Sequence, residues 1–335
     1  MRCGSSCAGT RADVANLKVR VHAGDPPAGL GPLAAGPEGC FFQTPGWLGA
    51  VVRAEPRLQP LTVCAEEAGA LRAACPLLVA RAFGVWRLYG GAWGTYGGVV
   101  AADAEAAVAV RGGLQALARR ARVALVRMHD FAGTVGEVPG FAAGAETCQV
   151  LDLPPDPEAV FRDAFTSQNR NKIRKAEKLG VTVQCGNDAE SLREYMALYR
   201  ESAGRWGVER PLPEALFAAL AGLDGVQVWR AALAGRTIAA LLNFAYGGQV
   251  MNWGNVSRQD AWGASPNNLL HWRAIEAACR TAGGPRLYNF GASTGLPGVE
   301  TFKAAFGARP VSYARREAQA GWLAWIQRAR GRGGR

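Results

Sequence analysis

A single lysine, Lys303, lies in an otherwise apolar segment directly after a glycine-rich loop. The stretch before the loop, Leu287 to Phe290, alternates apolar and polar residues and predicts a short strand. Glycines and a proline in residues 291–298 let backbone N–H groups approach a ligand closely. A cation on the following helix can hold a carboxylate or phosphate, or stabilise an oxyanion. The alternative is a solvated lysine on a short amphipathic helix.

A second group of charges lies on a predicted basic helix. Asp156 or Pro157 can begin this helix and Gly180 can end it. Arginines and lysines recur on it at helical spacing, so they form one stripe. We expect Arg170, Arg174 and Lys175 to bind phosphates of a substrate. The alternative is a solvated charged face.

Polar side chains on predicted core strands form a third group. Asn252 and Trp253 lie on the strand 249–255, where a central strand reaches a cleft, and Asn243 lies on the strand before it. Tyr288 and Asn289 lie at the carboxyl end of the next strand, where ligands of α/β sheets bind. Each of these side chains can instead be satisfied by a local hydrogen bond.

The sequence lacks the residue patterns that several classes of enzyme need. The eight cysteines are scattered without a CxxC pair and the chain has three histidines, so no zinc-site spacing is present. The sequence also lacks a Ser/His/Asp pattern typical of hydrolytic triads. Transfer of an acyl group to an amine needs a deprotonated amine, oxyanion stabilisation and two aligned substrates, without requiring a protein nucleophile. The chain is compatible with that reaction.

Length and charge limit the remaining possibilities. The 335 residues favour two domains or two similar lobes. The net charge of +11 indicates anionic partners, among them nucleic acid, coenzyme A, nucleotide sugars or lipid headgroups. No apolar run approaches the ~20 residues of a membrane span. Most of the cysteines are expected to be buried in a reducing, cytoplasmic protein.

The order of elements repeats. A predicted hairpin (61–82), a helix (104–122) and a strand (121–130) are followed later by a hairpin (226–246), a strand (249–255), a helix (266–281) and a strand (287–290). Alternating strands and helices favour mixed sheets covered by helices, and hence an α/β (α+β) fold in two lobes. The glycine-rich, aromatic segment 85–101 between the first hairpin and its helix is either irregular core or a ligand loop.

These elements predict four segments. We expect a disordered leader at 1–15, a first lobe at 16–152, and a second lobe at 153–315 that begins with the basic helix. Residues 316–335 predict an amphipathic helix with a basic end. That helix either packs on its own lobe or makes peripheral contact with anionic lipid.

Three of these stretches resemble one family. NFG followed by FKAAFG, the basic SQNRNKIRKAEK and the early FFQTPGWLGAV are similar to motifs of the FemAB-like aminoacyl and acyl transferases, relatives of the GNAT acetyltransferases. The resemblance implies two tandem GNAT-like lobes and places a site lysine at Lys303. The family's long helical hairpin for tRNA is absent. The Arg/Gln-x-x-Gly-x-Gly/Ala loop with which GNAT enzymes hold coenzyme A has no clean copy.

The resemblance implies an acyltransferase that uses acyl-CoA or aminoacyl-tRNA as donor and needs no metal. Its acceptor would be an amine, with an envelope or polysaccharide precursor as the expected partner and tRNA as another. Two alternatives remain: a coenzyme A dependent N-acetyltransferase of a small metabolite, and an inactive module that binds nucleic acid or envelope polymers.

Overall fold

One continuous sheet organises the whole molecule. The computed structural model describes residues 17–293 and 295–323. The strands are β1 Lys18–Ala23, β2 Leu58–Glu67, β3 Ala70–Ala82, β4 Val85–Tyr89, β5 Val100–Ala101, β6 Val123–Asp130, β7 Ala142–Asp152, β8 Thr182–Gly186, β9 Val226–Leu233, β10 Arg236–Tyr246, β11 Gln249–Ser257, β12 Leu287–Asn289 and β13 Arg309–Gln319. Their order in the sheet is β1-β2-β3-β4-β6-β13-β7-β12-β11-β10-β9-β8, and β5 pairs with β3.

The helices cover both faces of this sheet. They are α1 Leu30–Ala34, α2 Pro45–Ala54, α3 Ala104–Ala118, α4 Pro157–Ala159, α5 Ser167–Lys178, α6 Ala189–Arg205, α7 Glu214–Leu220, α8 Pro266–Arg280 and α9 Pro297–Ala304. Within the described residues, each helix is too short or too polar to span a bilayer. The predicted mixed α/β architecture is confirmed.

Three apolar clusters hold the layers together. One packs α3 on the first-lobe strands, with Val110, Leu114 and Leu117 fully enclosed. Another packs α5 and α8 on the second-lobe strands. The third joins the two halves, because Trp47 of α2 meets Phe244 of β10 at a ring distance of 5.7 Å. Burial of this apolar area is the main force that fixes the two halves against each other.

The two hairpins form where the sequence predicts them. The β2–β3 turn has Ala68 and Gly69 at φ 49° and 86°, and the β9–β10 turn has Ala234 and Gly235 at 50° and 76°. Two consecutive left-handed residues match the twist of paired strands, and a glycine at the second position adopts this conformation without strain.

The predicted helix from Pro157 to Gly180 is wrong as a single element. A π-turn at 160–164 ends at Phe165, whose backbone is extended. The side chain of Thr166 then accepts the N–H of Asn169 at 3.2 Å and begins α5 anew. A strong capping residue inside the predicted helix therefore divides it.

The prediction of a helix from residue 316 is also wrong where the structure describes it. Residues 316–319 belong to β13, which pairs antiparallel with both β6 and β7. Helical structure resumes at 321–323. The rest of the predicted helix, 324–335, and the predicted leader, 1–15, lie outside the described residues.

Candidate active site

The site lies where two parallel strands diverge. β11 and β12 pair at three positions, from Gln249 with Leu287 to Met251 with Asn289. Beyond them β11 continues for six residues while the other chain turns away. The gap is a cavity of about 330 Å³ lined by residues of β11, α8 and α9, with Asn252, His271 and Lys303 among them. It therefore occupies the carboxyl ends of the strands, the usual ligand position in such sheets.

The turn at Gly291 opens this gap. Asn289 Oδ1 accepts the N–H of Gly291 at 2.8 Å, and Gly291 adopts φ 71°. A Cβ at this position would lie 3.3 Å from the Met251 side chain. The left-handed backbone favours glycine here, and a Cβ would in addition force the Met251 methyl to shift slightly. The strand consequently ends and the chain bends towards β7, where Gln149 N–H donates to Gly291 O at 3.2 Å.

Lys303 is buried beside the cavity, with 6% of its surface exposed. Its Nζ donates to the carbonyl oxygens of Gly291 and Ala292, each at 2.8 Å. Burial lowers the pKa of this ammonium to about 8, although Cys148 and Glu300 partly oppose the shift. An ammonium has three donors, so one remains for a ligand. The alternative of a solvated lysine is wrong.

A row of polar side chains lies beneath the cavity. Asn252 Nδ2 donates to Asn243 Oδ1 at 2.8 Å, and Asn243 Nδ2 donates to the Tyr288 hydroxyl at 3.4 Å. His271 lies between Tyr288, 3.0 Å from Nδ1, and Asn255, 3.2 Å from Nε2. Burial, aided by the charge of Lys303, lowers the pKa of His271 to about 3, so the ring is neutral at pH 7.

Aromatic side chains surround the mouth of the cavity. Trp206 and Trp262 are 55% and 54% exposed, respectively. Arg205, between them, donates to Ser257 O at 2.8 Å and lies 5.8 Å from the Trp262 ring. Exposed tryptophans at a cavity mouth offer flat surfaces to an apolar or planar group.

The family comparison bears on this same segment of the chain. A family model described as an acetyltransferase (GNAT) domain matches residues 164–304, which include every element around the cavity. Residues 164–304 therefore match a GNAT-type acetyltransferase domain. The resemblance to FemAB-like and GNAT transferases is thereby confirmed.

Solved structures extend the likeness of the fold to most of the chain. FemX superposes with a TM-score of 0.71 at 13% identity, covering 88% of this chain and 96% of its own. L-PGS from Bacillus licheniformis gives 0.56 at 12% identity, covering 93% and 98%. The C-terminal domain of a putative lysylphosphatidylglycerol synthetase from Agrobacterium fabrum gives 0.56 at 12%, covering 76% and 83%. No curated protein matches the sequence.

The predicted strand residues of the GNAT domain divide between cavity and core. Asn252 lines the cavity, whereas Tyr288 is enclosed beneath it. Trp253 packs on Trp47 at 5.8 Å, within the aromatic cluster that joins the lobes. Asn289 is fully enclosed, where its Nδ2 donates to the Tyr96 hydroxyl at 3.2 Å. Of these four residues, Asn252 is the one brought to Lys303.

The basic helix of the GNAT domain is not part of the cavity wall. Arg170 donates to the carbonyl oxygens of Arg162 and Phe165 and so closes the break before α5. Arg174 and Lys175 are exposed, and Arg174 lies over the Phe161 ring at 5.6 Å. The structure therefore does not bring these three cations together with Lys303.

Sequence analysis missed a loop and two side chains of the GNAT domain. Between β11 and α8 the chain reads RQDAWGA, with Arg258, Ala261 and Gly263 at the spacing of the coenzyme A loop but an alanine in place of its first glycine. This near copy does not match the glycine pattern, because Ala261 replaces the first glycine. His271 and Asn255 follow ordinary helix and strand patterns, so nothing in the sequence distinguished them.

Two other cavities differ in character. One of about 480 Å³ lies in the first lobe, with Glu38, Asp103 and Arg111 in its wall, away from the diverging strands. One of about 470 Å³ contacts the Ala292–Ser293 backbone and includes Glu146 and Glu300. The second borders the loop that binds Lys303, so it belongs to the same region. Within the described residues no group of three His, Cys, Asp or Glu side chains could hold a metal ion.

Proposed function

We propose that this protein transfers an acyl or aminoacyl group from an activated thioester or ester to an amine. The observation that carries this proposal is the buried Lys303 ammonium at the cavity between β11 and β12. The match of residues 164–304 to GNAT acetyltransferase domains supports it.

The reaction follows from the charges at the site. The acceptor amine attacks the carbonyl carbon, and the carbonyl oxygen becomes an oxyanion. When the oxyanion collapses, the C–S or C–O bond to the leaving group breaks, and the proton released by the amine passes to the leaving thiolate or alkoxide or to solvent. The third N–H of Lys303 stabilises that oxyanion, because a buried cation interacts more strongly than a solvated one. Since the pKa of Lys303 is about 8, we expect the rate to fall as pH rises past about 8 and the charge is lost.

The acceptor is proposed to enter through the 470 Å³ cavity. Glu300 and Glu146 line this cavity, and Glu146 is also paired with Arg315 at 3.4 Å. We expect Glu300 above all to attract an ammonium before it loses its proton. An envelope or polysaccharide precursor is the acceptor class that we propose, on the basis of the resemblance to FemAB-like transferases. A phosphorylated precursor also suits the net charge of +11.

The donor class that we favour is acyl-CoA. The Arg258-x-x-Ala261-x-Gly263 segment precedes α8, where backbone N–H groups can hold a pyrophosphate. Aminoacyl-tRNA is the second candidate, on the basis of the same resemblance to FemAB-like transferases. Calorimetric titration separates the two, since saturable binding of acetyl-CoA at micromolar concentration supports the first.

Mass spectrometry tests the activity itself. The protein is incubated with a panel of acyl-CoAs and charged tRNAs and a mixture of amino sugars and muropeptide precursors. We expect one amine to gain the mass of the donor's acyl group. Steeply salt-dependent RNA binding without transfer from any donor would instead favour the inactive binding module.

A further inference from the structure

Two cavities of opposite character meet at Lys303. This residue lines the cavity of about 330 Å³ between β11 and α9, termed the strand cavity. Its Nζ donates to the carbonyl oxygen of Ala292, and Ala292 lines the cavity of about 470 Å³, termed the loop cavity. Lys303 therefore lies at the boundary between the two.

The strand cavity has positive charge in its wall and no negative charge. Lys303 and Arg205 line it, and none of its described lining residues is Asp or Glu. Burial lowers the pKa of His271 to about 3, so this ring adds no charge at pH 7. Glu201, one turn before Arg205 on α6, is already paired with Arg258 at 2.6 Å. An ammonium in this cavity would meet like charges without a carboxylate to compensate them.

Large apolar side chains continue from the mouth of the strand cavity into its interior. Trp206, Trp262 and Val299 line it with 55%, 54% and 37% of their surfaces exposed, respectively. Further in, Phe302 is half-buried and Phe290 is enclosed. Exposed apolar side chains that are concentrated on one concave wall are typical of ligand-binding grooves. An apolar group bound there is stabilised because it covers this area from water.

The loop cavity has neither of these properties. Glu300 and Glu146 line it, and the hydroxyl of its one aromatic lining residue, Tyr313, donates to Glu146 at 3.1 Å. None of its described lining residues is Lys, Arg, Trp, Phe, Leu, Ile, Val or Met. An amine therefore suits the loop cavity, and an uncharged apolar group suits the strand cavity.

The strand cavity is also much larger than an acetyl group. Its volume of about 330 Å³ equals that of about eleven water molecules at ~30 Å³ each. An acetyl group would leave most of the apolar wall in contact with solvent. A chain of several methylenes or an aromatic ring would cover that wall.

We propose that the strand cavity selects a large apolar acyl group without an ammonium, such as a medium-length chain or a phenylacetyl group, which binds against Trp206, Trp262 and Val299 while its carbonyl lies at Lys303. This inference rests on the proposed function, since the acyl group is the donor's. Acetyl is then a poor substrate because it covers little of the apolar wall. An aminoacyl group is a poor substrate because its ammonium meets Lys303 and Arg205.

A series of coenzyme A thioesters tests this selectivity in the wild-type protein, with the amine that gains mass in mass spectrometry as acceptor. Each buried methylene contributes about fourfold in affinity, so kcat/KM should be ~10- to 100-fold higher for hexanoyl-CoA than for acetyl-CoA. Butyryl-CoA and β-alanyl-CoA have the same size and differ in a terminal methyl or ammonium, and kcat/KM should be ~10-fold or more higher for butyryl-CoA. Equal values within either pair overturn the proposal.

A carboxylate added to the wall should weaken the selection against an ammonium. Val299→Asp places one in the first turn of α9, where an acidic residue is favourable, and should raise the ratio of kcat/KM for β-alanyl-CoA to that for butyryl-CoA ~10-fold or more. Val108→Asp makes the same change at an exposed position of α3 in the first lobe and should leave this ratio unaltered. Since the ratio is measured within each variant, a general loss of rate does not affect it. A wild-type ratio in Val299→Asp contradicts the proposal.

Binding without an acceptor separates this inference from the proposed function. Calorimetric titration of the wild-type protein should give a dissociation constant ~10-fold or more lower for hexanoyl-CoA than for acetyl-CoA. Trp262→Ala should reduce this difference, whereas Trp93→Ala, in the first lobe, should preserve it. Equal dissociation constants, or no binding of either thioester, rule the inference out. If hexanoyl-CoA binds more tightly but no acyl group reaches any amine, the proposed function fails while the selectivity of the cavity stands.

Discussion

Each lobe contains one pair of parallel strands, but the chain continues differently beyond the pairing in the two lobes. In the first lobe β4 pairs with β6 from Trp86 to Tyr89, and in the second β11 pairs with β12. Each pair is joined by a connection that includes a long helix, α3 or α8. Past the pairing, the second lobe opens into the Lys303 cavity, whereas the first lobe is closed by its own chain.

The first lobe closes because a glycine-rich segment keeps bonding to β6. Gly90 N–H donates to Arg127 O at 2.8 Å, and Gly97 N–H donates to His129 O at 3.0 Å. Tyr96 fills the remaining space and stacks on Phe131 at 4.8 Å. The aromatic, glycine-rich stretch of the sequence is therefore irregular core. In the first lobe, Gly90 and Gly97 let the segment after β4 approach β6 closely and fill the gap. In the second lobe, the left-handed Gly291 turns the chain away from β11 and leaves the cavity open.

The two lobes also differ in how the hydrogen-bonding capacity of a buried charged group is used. Asp130 of the first lobe accepts the N–H of Val135 at 3.0 Å, and its burial is compensated by its own loop. Lys303 uses two bonds and keeps a third donor beside a cavity. Because a buried charge with an unused donor is typical of functional sites, we assign the proposed chemistry to the second lobe.

Replacing Lys303 gives the largest expected effect. Lys303→Met keeps the length of the side chain but removes the oxyanion donor, so kcat/KM should fall 100- to 1,000-fold. The comparison is with Lys172→Met, an exposed lysine of α5, which should retain full activity. Transfer assays on both variants, with folding checked by circular dichroism, decide the matter. Equal activity would exclude Lys303 from the mechanism.

A methyl group at Gly97 should break the closed lobe. The Cβ would lie 1.8 Å from the Gly90 carbonyl oxygen, so the segment must shift away from β6. We expect Gly97→Ala to lower the free energy of unfolding by about 2–4 kcal/mol, measured from the urea midpoint. Gly112→Ala, with no atom within 4 Å of its Cβ, is the control and should not destabilise. A midpoint unchanged by Gly97→Ala would show that the contact is not needed.

Acid should destabilise the protein partly through His271. The pKa of its ring is about 3 when folded and about 6.5 when unfolded, so the unfolded state binds an extra proton between these values. Stability should therefore fall as pH drops from 6.5 towards 3, by at most about 1.4 kcal/mol per pH unit from this group. Urea titrations of wild type and His271→Gln over this range should show a shallower slope in the variant. The exposed His22→Gln should keep the wild-type slope.

The smallest expected effect compares two exposed tryptophans. Trp206→Ala at the cavity mouth should raise KM for the donor about tenfold and leave kcat nearly unchanged, since stacking acts on binding. Trp93→Ala in the first lobe, 37% exposed, should leave both values unchanged. Steady-state kinetics with varied donor measures both. A matching rise of KM in Trp93→Ala would place donor binding at the first lobe as well.

The sequence predicts what depends on local pattern. The hairpins, α3, α8 and β12 follow from alternation and helical spacing, and Lys303 stands out as a cation in an apolar helix. β13 could not be predicted this way, because its polar residues 316–319 suit a helix as well as a strand. Its partners in β6 are distant in the sequence, as the bond from Arg127 to Glu317 across 190 residues illustrates. Long-range pairing overrides such weak local preference.

Only part of the candidate site could be predicted, because the rest also depends on contacts between distant segments. Lys303 and Asn252 lie where strand ends and loops predict them, but Arg170 is used to close a helix break. His271 lies within hydrogen-bond distance of Tyr288, seventeen residues later, a contact that spacing along the sequence does not predict. Hydrogen-bond relays between elements follow from three-dimensional packing, which a single sequence does not record.

The position of β13 makes the sheet of the first lobe depend on a segment from the end of the second lobe. β13, the last strand in the described part of the chain, lies between β6 and β7, and the loss of β13 would leave each of these neighbours with an unpaired edge. A truncated protein that ends at residue 152 would expose the unpaired edges of β6 and β7, which favours aggregation. Any recombination event that exchanges one lobe must therefore carry the distant tail with it.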